Sequence, residues 1–327
     1  MPPLMGHSGE RGPVVVLGGI NCDISAAVSG AITPGSSTPG QVALSPGGVG
    51  RNIAHNLALL HVPVVLAGAV GTDPLSEWLL EHAAAAGVDV DDVIRVVESG
   101  CGVYVSTLSG GELLHAVSDM RAIEKLSVPD VEQMLGSITR RHGHPSWLVV
   151  DCNLQPEVIE AALDWAADGR IEVMIEPVSV SKAGRLRGVR GTAYVCTPNA
   201  AEAVVLARQH DDRGSGHGSA GLDLRNWVIT RGASGAAIWQ QSEPACCELL
   251  ATEAAGTSVN VNGAGDAFSA ALVSALYYGA DLRTAVRSAQ AAGRHTVLSA
   301  ETVARDLATV LRATGFYIPD IERRDSP

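Results

Sequence analysis

The stretch Asn260-Val-Asn-Gly-Ala-Gly-Asp266 leads directly into an apolar segment, residues 267–278, that has the composition of a buried helix. Small residues where a helix begins let the backbone approach a ligand closely, and their amides, lacking intrahelical acceptors, suit a phosphate group. Asp266 follows in the first turn, where a carboxylate can accept a proton from an attacking alcohol. The pattern predicts phosphoryl transfer to a hydroxyl group, with Asp266 as base and an anion hole built from Gly263, Ala264 and Gly265.

The same string has a second, structural interpretation. A Gly-Ala-Gly turn before a helix can simply permit tight packing, and an aspartate in a first turn often only stabilises the helix dipole. Motifs of four residues also occur by chance. The choice between these interpretations therefore depends on the rest of the chain.

Composition narrows the classes of function. The chain has 327 residues, 46% of them hydrophobic, and a net charge of −12. This acidity argues against nucleic acid or an anionic membrane as partner and leaves a small molecule as the expected ligand. No apolar run is long enough to cross a bilayer, and the first residues lack a secretory pattern, so we expect a cytoplasmic protein. Residues 1–12 and 318–327 are predicted to be disordered tails.

Short β-branched runs alternate with helical patterns along most of the chain. Such strands, apolar on both faces, predict an α/β fold of the Rossmann type: a mostly parallel sheet with helices on both faces. One helix is expected after Asp73-Pro74, a capping residue followed by a proline, and another after Gly47-Gly48. The strand-like runs are 14–17, 64–66, 147–150, 173–175, 194–196 and 228–230.

Two segments interrupt this alternation. Residues 21–46 are small, polar and rich in turns, and residues 100–119 include the pattern of a hairpin around Ser109-Gly110-Gly111. We expect them to form a small β-sheet that acts as a lid over a ligand, within one domain that spans residues 13–313. An exposed lid edge could pair across a two-fold axis, so a homodimer is expected.

Two further polar groups follow glycines. Asn21 and Asp23 alternate at the end of the first strand, where α/β sheets bind ligands. Gly48 and Asn52 lie in the stretch 45–52, Ser-Pro-Gly-Gly-Val-Gly-Arg-Asn, at a predicted helix start. Each pair can bind sugar hydroxyls, or serve only as turn and capping residues. The pattern alone leaves both interpretations open.

Taken together and in order, these motifs resemble the ribokinase-like (PfkB-type) carbohydrate kinases. The resemblance rests on Gly47-Gly48 with Asn52 and on Gly263-Ala-Gly-Asp266, and it covers residues 14–298. It implies a ribokinase-like fold, ATP and Mg²⁺. Two stretches between these motifs resemble the family's segments beside Mg²⁺ and the ATP phosphates. They are Thr197-Pro-Asn-Ala-Ala-Glu202 and Thr230-Arg-Gly-Ala-Ser-Gly235. They imply that Asn199 and Glu202 hold Mg²⁺ through water, and they assign ATP contacts to Asn199, Thr230, Gly232 and Gly235.

Within that family, several strings most resemble the pseudouridine kinases. They include Asp151-Cys-Asn153 and Glu176-Pro-Val-Ser-Val-Ser-Lys182. The resemblance implies phosphorylation of pseudouridine at its 5′-hydroxyl, with Lys182 donating to a carbonyl of the base and Met120 packing on the ring. It also implies that the ribose is bound by four residues, Asn21, Asp23, Gly48 and Asn52.

Four residues depart from the family pattern. Asn260 and Asn262 stand where many relatives carry Asp and Thr, so activation by K⁺ stays open. Glu176 replaces an aspartate, and His61 replaces a glycine, for which we expect only a changed turn. The alternatives are another ribokinase-like sugar or nucleoside kinase, for ribose or adenosine, and a catalytically inactive nucleoside-binding protein.

Overall fold

The structure is a computed structural model. It describes residues 11–30, 32, 35–110, 112–211, 221–243, 247–251, 262–299, 301–313 and 315. The predicted terminal tails lie outside these residues, apart from residues 11 and 12.

The secondary structure alternates between strands and helices through most of the chain. The strands are β1 (Val14–Leu17), β2 (Asn21–Val28), β3 (Gly40–Gly47), β4 (Val64–Ala67), β5 (Ala69–Val70), β6 (Ile94–Arg95), β7 (Gly102–Ser109), β8 (Glu112–Asp119), β9 (Trp147–Asp151), β10 (Glu172–Glu176), β11 (Gly191–Cys196), β12 (Leu222–Thr230), β13 (Ala236–Gln240) and β14 (Cys247–Leu250). The helices are α1 (Val49–Leu59), α2 (Pro74–Ala85), α3 (Arg121–Glu124), α4 (Val128–His142), α5 (Pro156–Gly169), α6 (Val180–Ala183), α7 (Ala200–Asp211), α8 (Ala264–Tyr277), α9 (Leu282–Val297) and α10 (Leu307–Ala313).

The central sheet has the strand order β14-β13-β12-β11-β10-β9-β1-β4. Every pairing from β12 to β4 is parallel, and only β13 and β14 run antiparallel at one edge. The prediction of a mostly parallel sheet is therefore confirmed. Strands β13 and β14 were not predicted, because runs of only five and four residues carry little periodicity.

Helices cover both faces of this sheet, as the sequence predicted. In β1, Val14 and Val16 face one hydrophobic cluster, which includes residues of α1, α2, α8, α9 and α10. Val15 and Leu17 face the other cluster, which includes residues of α4 and α5. This arrangement explains why the strand is apolar at every position: each of its faces is buried.

The predicted helix starts are also confirmed. Helix α2 begins after Asp73, whose side chain accepts a hydrogen bond from the amide of Ser76, and Pro74 occupies its first position. Helix α1 begins after Gly48, which has φ 95°. A positive φ strains any residue with a Cβ, so glycine is required at this turn.

A second sheet has the order β3-β2-β7-β8. Strands β7 and β8 form the predicted hairpin, with a register shift between Thr107 and Leu108. Strand β2 pairs with β3 and β7, so the two segments that interrupt the α/β alternation build one small sheet. Its action as a lid, and the extent of the domain, stay predictions.

Candidate active site

Helices α1 and α8 bring the two glycine motifs together. Asn52 Nδ2 donates a hydrogen bond of 2.7 Å to Asp266 Oδ2, although 214 residues separate them in the chain. Both helices begin after a glycine with positive φ, 95° at Gly48 and 79° at Gly263. The two motifs that the sequence analysis singled out therefore form one site.

The local environment raises the pKa of the Asp266 carboxyl group to about 7. Burial is the main cause, and the negative charges of Asp151 and Asp23 act in the same direction. The hydrogen bond from Asn52 and the positive charge of Arg51 oppose it. A carboxyl group with a pKa near neutrality is well suited to accept a proton.

The start of α8 leaves room beside the backbone. Its first intrahelical bond runs from Ala267 N to Gly263 O, so the backbone amides of Ala264, Gly265 and Asp266 have no acceptor within the helix. A Cβ on Gly263 would lie 2.1 Å from Thr302 O, whereas a Cβ on Gly265 would meet no heavy atom of the described residues within 4 Å. The described part of the chain therefore packs against Gly263 and not against Gly265, and the anion hole stays a prediction.

The predicted sugar-binding residues lie in two neighbouring elements, Asn21 and Asp23 in β2, and Gly48 and Asn52 at the start of α1. Asn21 Nδ2 donates to Asp23 Oδ1 at 2.6 Å, which confirms that both side chains share one face of β2. A Cβ on Gly47 would lie 2.4 Å from Asp23 Cγ, and one on Gly48 would lie 2.4 Å from Gly19 O. These glycines permit close packing between β2, β3 and α1. Their contact with a sugar stays a prediction.

Lys182 lies at the carboxyl edge of the central sheet. Its Nζ donates to Asn153 Oδ1, and the backbone N–H of Asn153 donates to Asp151 Oδ1 at 2.8 Å. Asp151 in turn accepts the backbone N–H of Gly19 at 2.8 Å. Burial is the main cause that lowers the pKa of the lysine. Lys182 is thus not a surface charge at a strand end but part of a network at the site.

Met120 is half-buried, immediately before α3, and packs against the hydrophobic cluster on the α4 side. Arg185 connects this helix to the Lys182 network. Its Nη2 donates to Glu124 Oε1 at 2.6 Å, and its Nη1 donates to the carbonyl oxygen of Cys152 at 3.3 Å. Arg185 thereby links α3, which follows Met120, to the turn after β9, which contains the partner of Lys182, Asn153.

The predicted phosphate-side residues also come together. Asn199 forms a parallel bridge with Thr230, and the Thr230 amide donates to Pro198 O at 2.9 Å. Glu202 is buried, and its Oε2 accepts a hydrogen bond of 2.8 Å from the backbone N–H of Asn199. Gly232 and Gly235 have φ values of 54° and 90° in the turn that follows β12.

Three further residues concern the binding of cations: Glu176, Asn260 and Asn262. Burial raises the pKa of Glu176 to about 8, while hydrogen bonds from Ser269 and Thr197 lower it. Across the described ranges, no three His, Cys, Asp or Glu side chains are grouped to ligate a metal directly. Asn260 lies outside the described residues, and Asn262 is exposed before α8.

Sequence reasoning missed three contributors to the site. It assigned no role to Arg51, whose side chain is 1% exposed. Asp151 and Asn153 were used only as a sign of resemblance, with no role assigned. Their position directly after a buried strand was the available signal, because the carboxyl ends of parallel strands share one edge of the sheet.

The α/β fold, with an open helix start beside a carboxylate, defines a phosphotransferase class of site. Residues 12–308 match the pfkB family of carbohydrate kinases, and the chain belongs to this family. It is 31% identical to a pseudouridine kinase of Escherichia coli strain K12 over 86% of this chain and 89% of that protein. It is 30% identical to an uncharacterized sugar kinase of the same organism, over 86% and 77% respectively.

Among solved structures, an Arabidopsis thaliana ribokinase complexed with ribose and ATP superposes with a TM-score of 0.72. It shares 19% sequence identity, over 93% of this chain and 99% of that one, and therefore supports the fold alone. The chain is a ribokinase-family sugar or nucleoside kinase, which transfers a phosphoryl group to a hydroxyl. No helix within the described residues is long and apolar enough to span a membrane.

Proposed function

We propose that this kinase phosphorylates pseudouridine at the 5′-hydroxyl with ATP, producing pseudouridine 5′-phosphate. The observation that carries the choice of acceptor is the Lys182 ammonium group, held beside the sugar side of the site by Asn153. The similarity to a pseudouridine kinase over most of both chains supports the same choice. Lys182 is one of two lysines in the sequence, and the other, Lys125, is exposed.

Asp266 is the general base in this proposal. Asn52 holds one carboxylate oxygen, so the other is free to accept the proton of the 5′-hydroxyl as its oxygen attacks the γ-phosphate. The amides of Gly263, Ala264 and Gly265 stabilise the charge on the transferring group. Removing a comparable donor typically costs about 3 kcal/mol of barrier, so this anion hole is a major contributor.

The residues fit ATP and Mg²⁺. Among the described residues, no heavy atom would lie within 4 Å of a Cβ on Gly265, which supports a phosphate group at this position. Asn199, Thr230, Gly232 and Gly235 would contact the nucleotide, and Glu202 with Asn199 would hold Mg²⁺ through water. The described residues do not form a direct metal cage, which favours such indirect binding. When bound, Mg²⁺ offsets negative charge between the β- and γ-phosphates.

Recognition of the acceptor is divided between two surfaces. Asn21, Asp23, Gly48 and Asn52 would bind the ribose hydroxyls, and their carboxylate and amide groups are suited to that task. Lys182 would donate to a carbonyl of the uracil ring, and Met120 would pack on the ring. Pseudouridine presents two ring carbonyls, so the half-buried ammonium donor of Lys182 is complementary to it.

A second candidate is a kinase for another sugar or nucleoside, such as ribose or adenosine. The similarity to a sugar kinase at 30% identity favours it specifically. The catalytic end of the site is common to both proposals, and only the base side distinguishes them. A nucleoside-binding protein without activity would not need Asp266 held by Asn52, and the family membership speaks against it.

The small sheet also supports a homodimer. Residues opposite one another share a face, and the face defined by Ile24, Leu44, Val105 and Val117 is apolar. Leu44 is 52% exposed and Val117 is 56% exposed. Leu44→Glu should yield monomers by light scattering, whereas the matched control Val97→Glu, elsewhere on the surface, should not. Cytoplasmic location stays a prediction.

The proposed function is tested by ADP release with ATP and Mg²⁺, comparing pseudouridine, uridine, adenosine, ribose and fructose. We expect a strong preference for pseudouridine. Lys182→Ala should reduce kcat/KM for pseudouridine more than for ribose, and the matched control Lys125→Ala should match the wild type. Preference for another acceptor would overturn the choice of substrate and keep the kinase. Equal losses on all acceptors would make Lys182 structural.

A further inference from the structure

Arg51 is among the largest fully buried side chains, at 1% exposure. Its Nε donates to Gly47 O at 3.2 Å, and its Nη2 donates to Pro46 O at 2.8 Å and to Asn52 Oδ1. Its Nη1 lies 3.1 Å from His55 Nδ1. A guanidinium group only donates hydrogen bonds, so this ring nitrogen must be an acceptor.

All these acceptors are neutral, and among the described residues no carboxylate forms a salt bridge with Arg51. Burial lowers its pKa to about 10, while the charges of Asp266 and Asp23 oppose that change. Arg51 therefore stays positively charged at neutral pH. Taking an ion out of water costs several kcal/mol, so a buried charge without an ion pair calls for an explanation.

The contact with Asn52 supplies one. An amide side chain has an acceptor on one side and a donor on the other, and Arg51 can bind only the acceptor. Because Arg51 occupies Asn52 Oδ1, the Asn52 Nδ2 group is turned toward Asp266, to which it donates at 2.7 Å. Arg51 thus determines which end of the amide meets the carboxylate.

We propose that Arg51 is a positioning residue for phosphoryl transfer, which orients the Asn52 amide toward Asp266 and anchors this arrangement to the end of β3. The proposal rests on Asp266 as the base of the proposed function. The anchor consists of the carbonyl oxygens of Pro46 and Gly47, which are the last two residues of β3 in the small sheet. A displacement of that strand would therefore also displace the amide that holds the base.

Arg51 also contributes through its charge. The charged groups that act on Asp266 are Arg51, Asp23 and Asp151, and Glu176 is close enough for Asp266 to raise the Glu176 pKa. Burial lowers the pKa of His55 to about 4 and also lowers that of His82, so both are neutral at pH 7. Arg51 is then the cation that favours the ionised form of Asp266.

Two substitutions separate these contributions. Arg51→Lys keeps the charge and loses the planar group that reaches several acceptors, so kcat should fall about tenfold or more with little change in the pH profile. Arg51→Met also removes the charge, which raises the pKa of Asp266. The acid limb of kcat/KM, expected near pH 7 in the wild type, should then move to higher pH in Arg51→Met. Arg141→Lys, a multiply bonded arginine on α4, is the matched control and should retain wild-type kinetics.

A double-mutant cycle tests whether Arg51 acts through Asn52. If it does, Arg51→Lys should have little further effect on kcat in an Asn52→Ala background. A merely structural role would instead give losses that multiply in full, and the proposal would be overturned. An unchanged kcat in Arg51→Lys would overturn it as well. Thermal unfolding of each variant shows whether the fold is retained.

Failure of a variant to fold and failure of the proposed function must both be distinguished from failure of the positioning role. If the Arg51 variants do not fold, Asn52→Ala decides alone, because wild-type kcat in that variant would leave Arg51 nothing to position. If Asp266→Asn keeps full activity, the mechanism of the proposed function fails and the positioning role fails with it. If Asp266→Asn is inactive but Arg51→Lys is normal, only the positioning role is wrong.

Discussion

The starts of α1 and α8 are alike in their glycine-rich sequence, and they differ in what surrounds them. Both follow a glycine with positive φ, although ψ is 127° at Gly48 and −8° at Gly263, and neither glycine supplies a side-chain cap. At α1, Cβ atoms added to Gly48 and Gly50 would collide with the backbone of residues 18–20. At α8, a Cβ on Gly265 would meet no heavy atom of the described residues within 4 Å.

The difference shows that similar glycine motifs serve two purposes in one site. The glycines of α1 permit close packing, which brings Asn52 to its position. Gly263 also serves packing, against Thr302, whereas none of the described residues packs against Gly265, where we propose that the phosphate binds. A glycine motif therefore becomes evidence for a binding site only when the surrounding protein leaves room.

The largest effect is expected for Asp266→Asn. The amide keeps the size of the carboxylate and cannot accept the proton, so kcat should fall by roughly 10²–10⁴-fold. ATP binding should be retained, because the amides at the start of α8 are unchanged. ADP release measures the first quantity, and calorimetric titration with ATP measures the second. Full activity would remove Asp266 from the mechanism.

Next in size is the loss of stability in Gly48→Ala. The new Cβ would lie 2.4 Å from Gly19 O, at a residue with φ 95°. Left-handed backbone costs about 1–2 kcal/mol in residues other than glycine, and overpacking adds about 1–3 kcal/mol. Urea denaturation should show the sum. Wild-type stability would mean that α1 and the end of β1 can separate at little cost.

Gly265→Ala should show the opposite behaviour. Its methyl group would project into open space, so stability should be unchanged or higher by up to about 1 kcal/mol. The same methyl group would displace the transferring phosphate, and a misplacement of that kind reduces the rate by about 10²-fold. Matched denaturation and ADP-release measurements test both parts. Unchanged kcat would break the contrast between the two helix starts.

The smallest effect is expected at the other end of α1. His61 has φ 61°, which explains why a glycine is usual at this turn. His61→Gly relieves left-handed strain of about 1–2 kcal/mol, but the added freedom of the unfolded chain offsets about 0.4–1 kcal/mol. A rise of a few degrees or less in Tm, with unchanged kinetics, is expected. A lower Tm would show that the His61 side chain itself stabilises the turn.

The sequence by itself determined the fold class and the order of the motifs. Apolar runs such as β1 are read directly, because a strand buried on both faces must be apolar at every position. The helix starts after Gly48 and Asp73 were also readable, since capping is a local property. The edge strands β13 and β14 were not, because their pairing is set by neighbours rather than by their own pattern.

The tertiary structure alone decided how the site is assembled. Asn52 and Asp266 are 214 residues apart, and only the packing of α1 on α8 brings them within hydrogen-bonding distance. The sequence analysis gave Arg51 no role, because helical periodicity treats a charged residue as solvated. The acceptors that allow its burial come from three places, the end of β3, Asn52 and His55. The folded chain brings these acceptors together, and no local stretch of sequence predicts them.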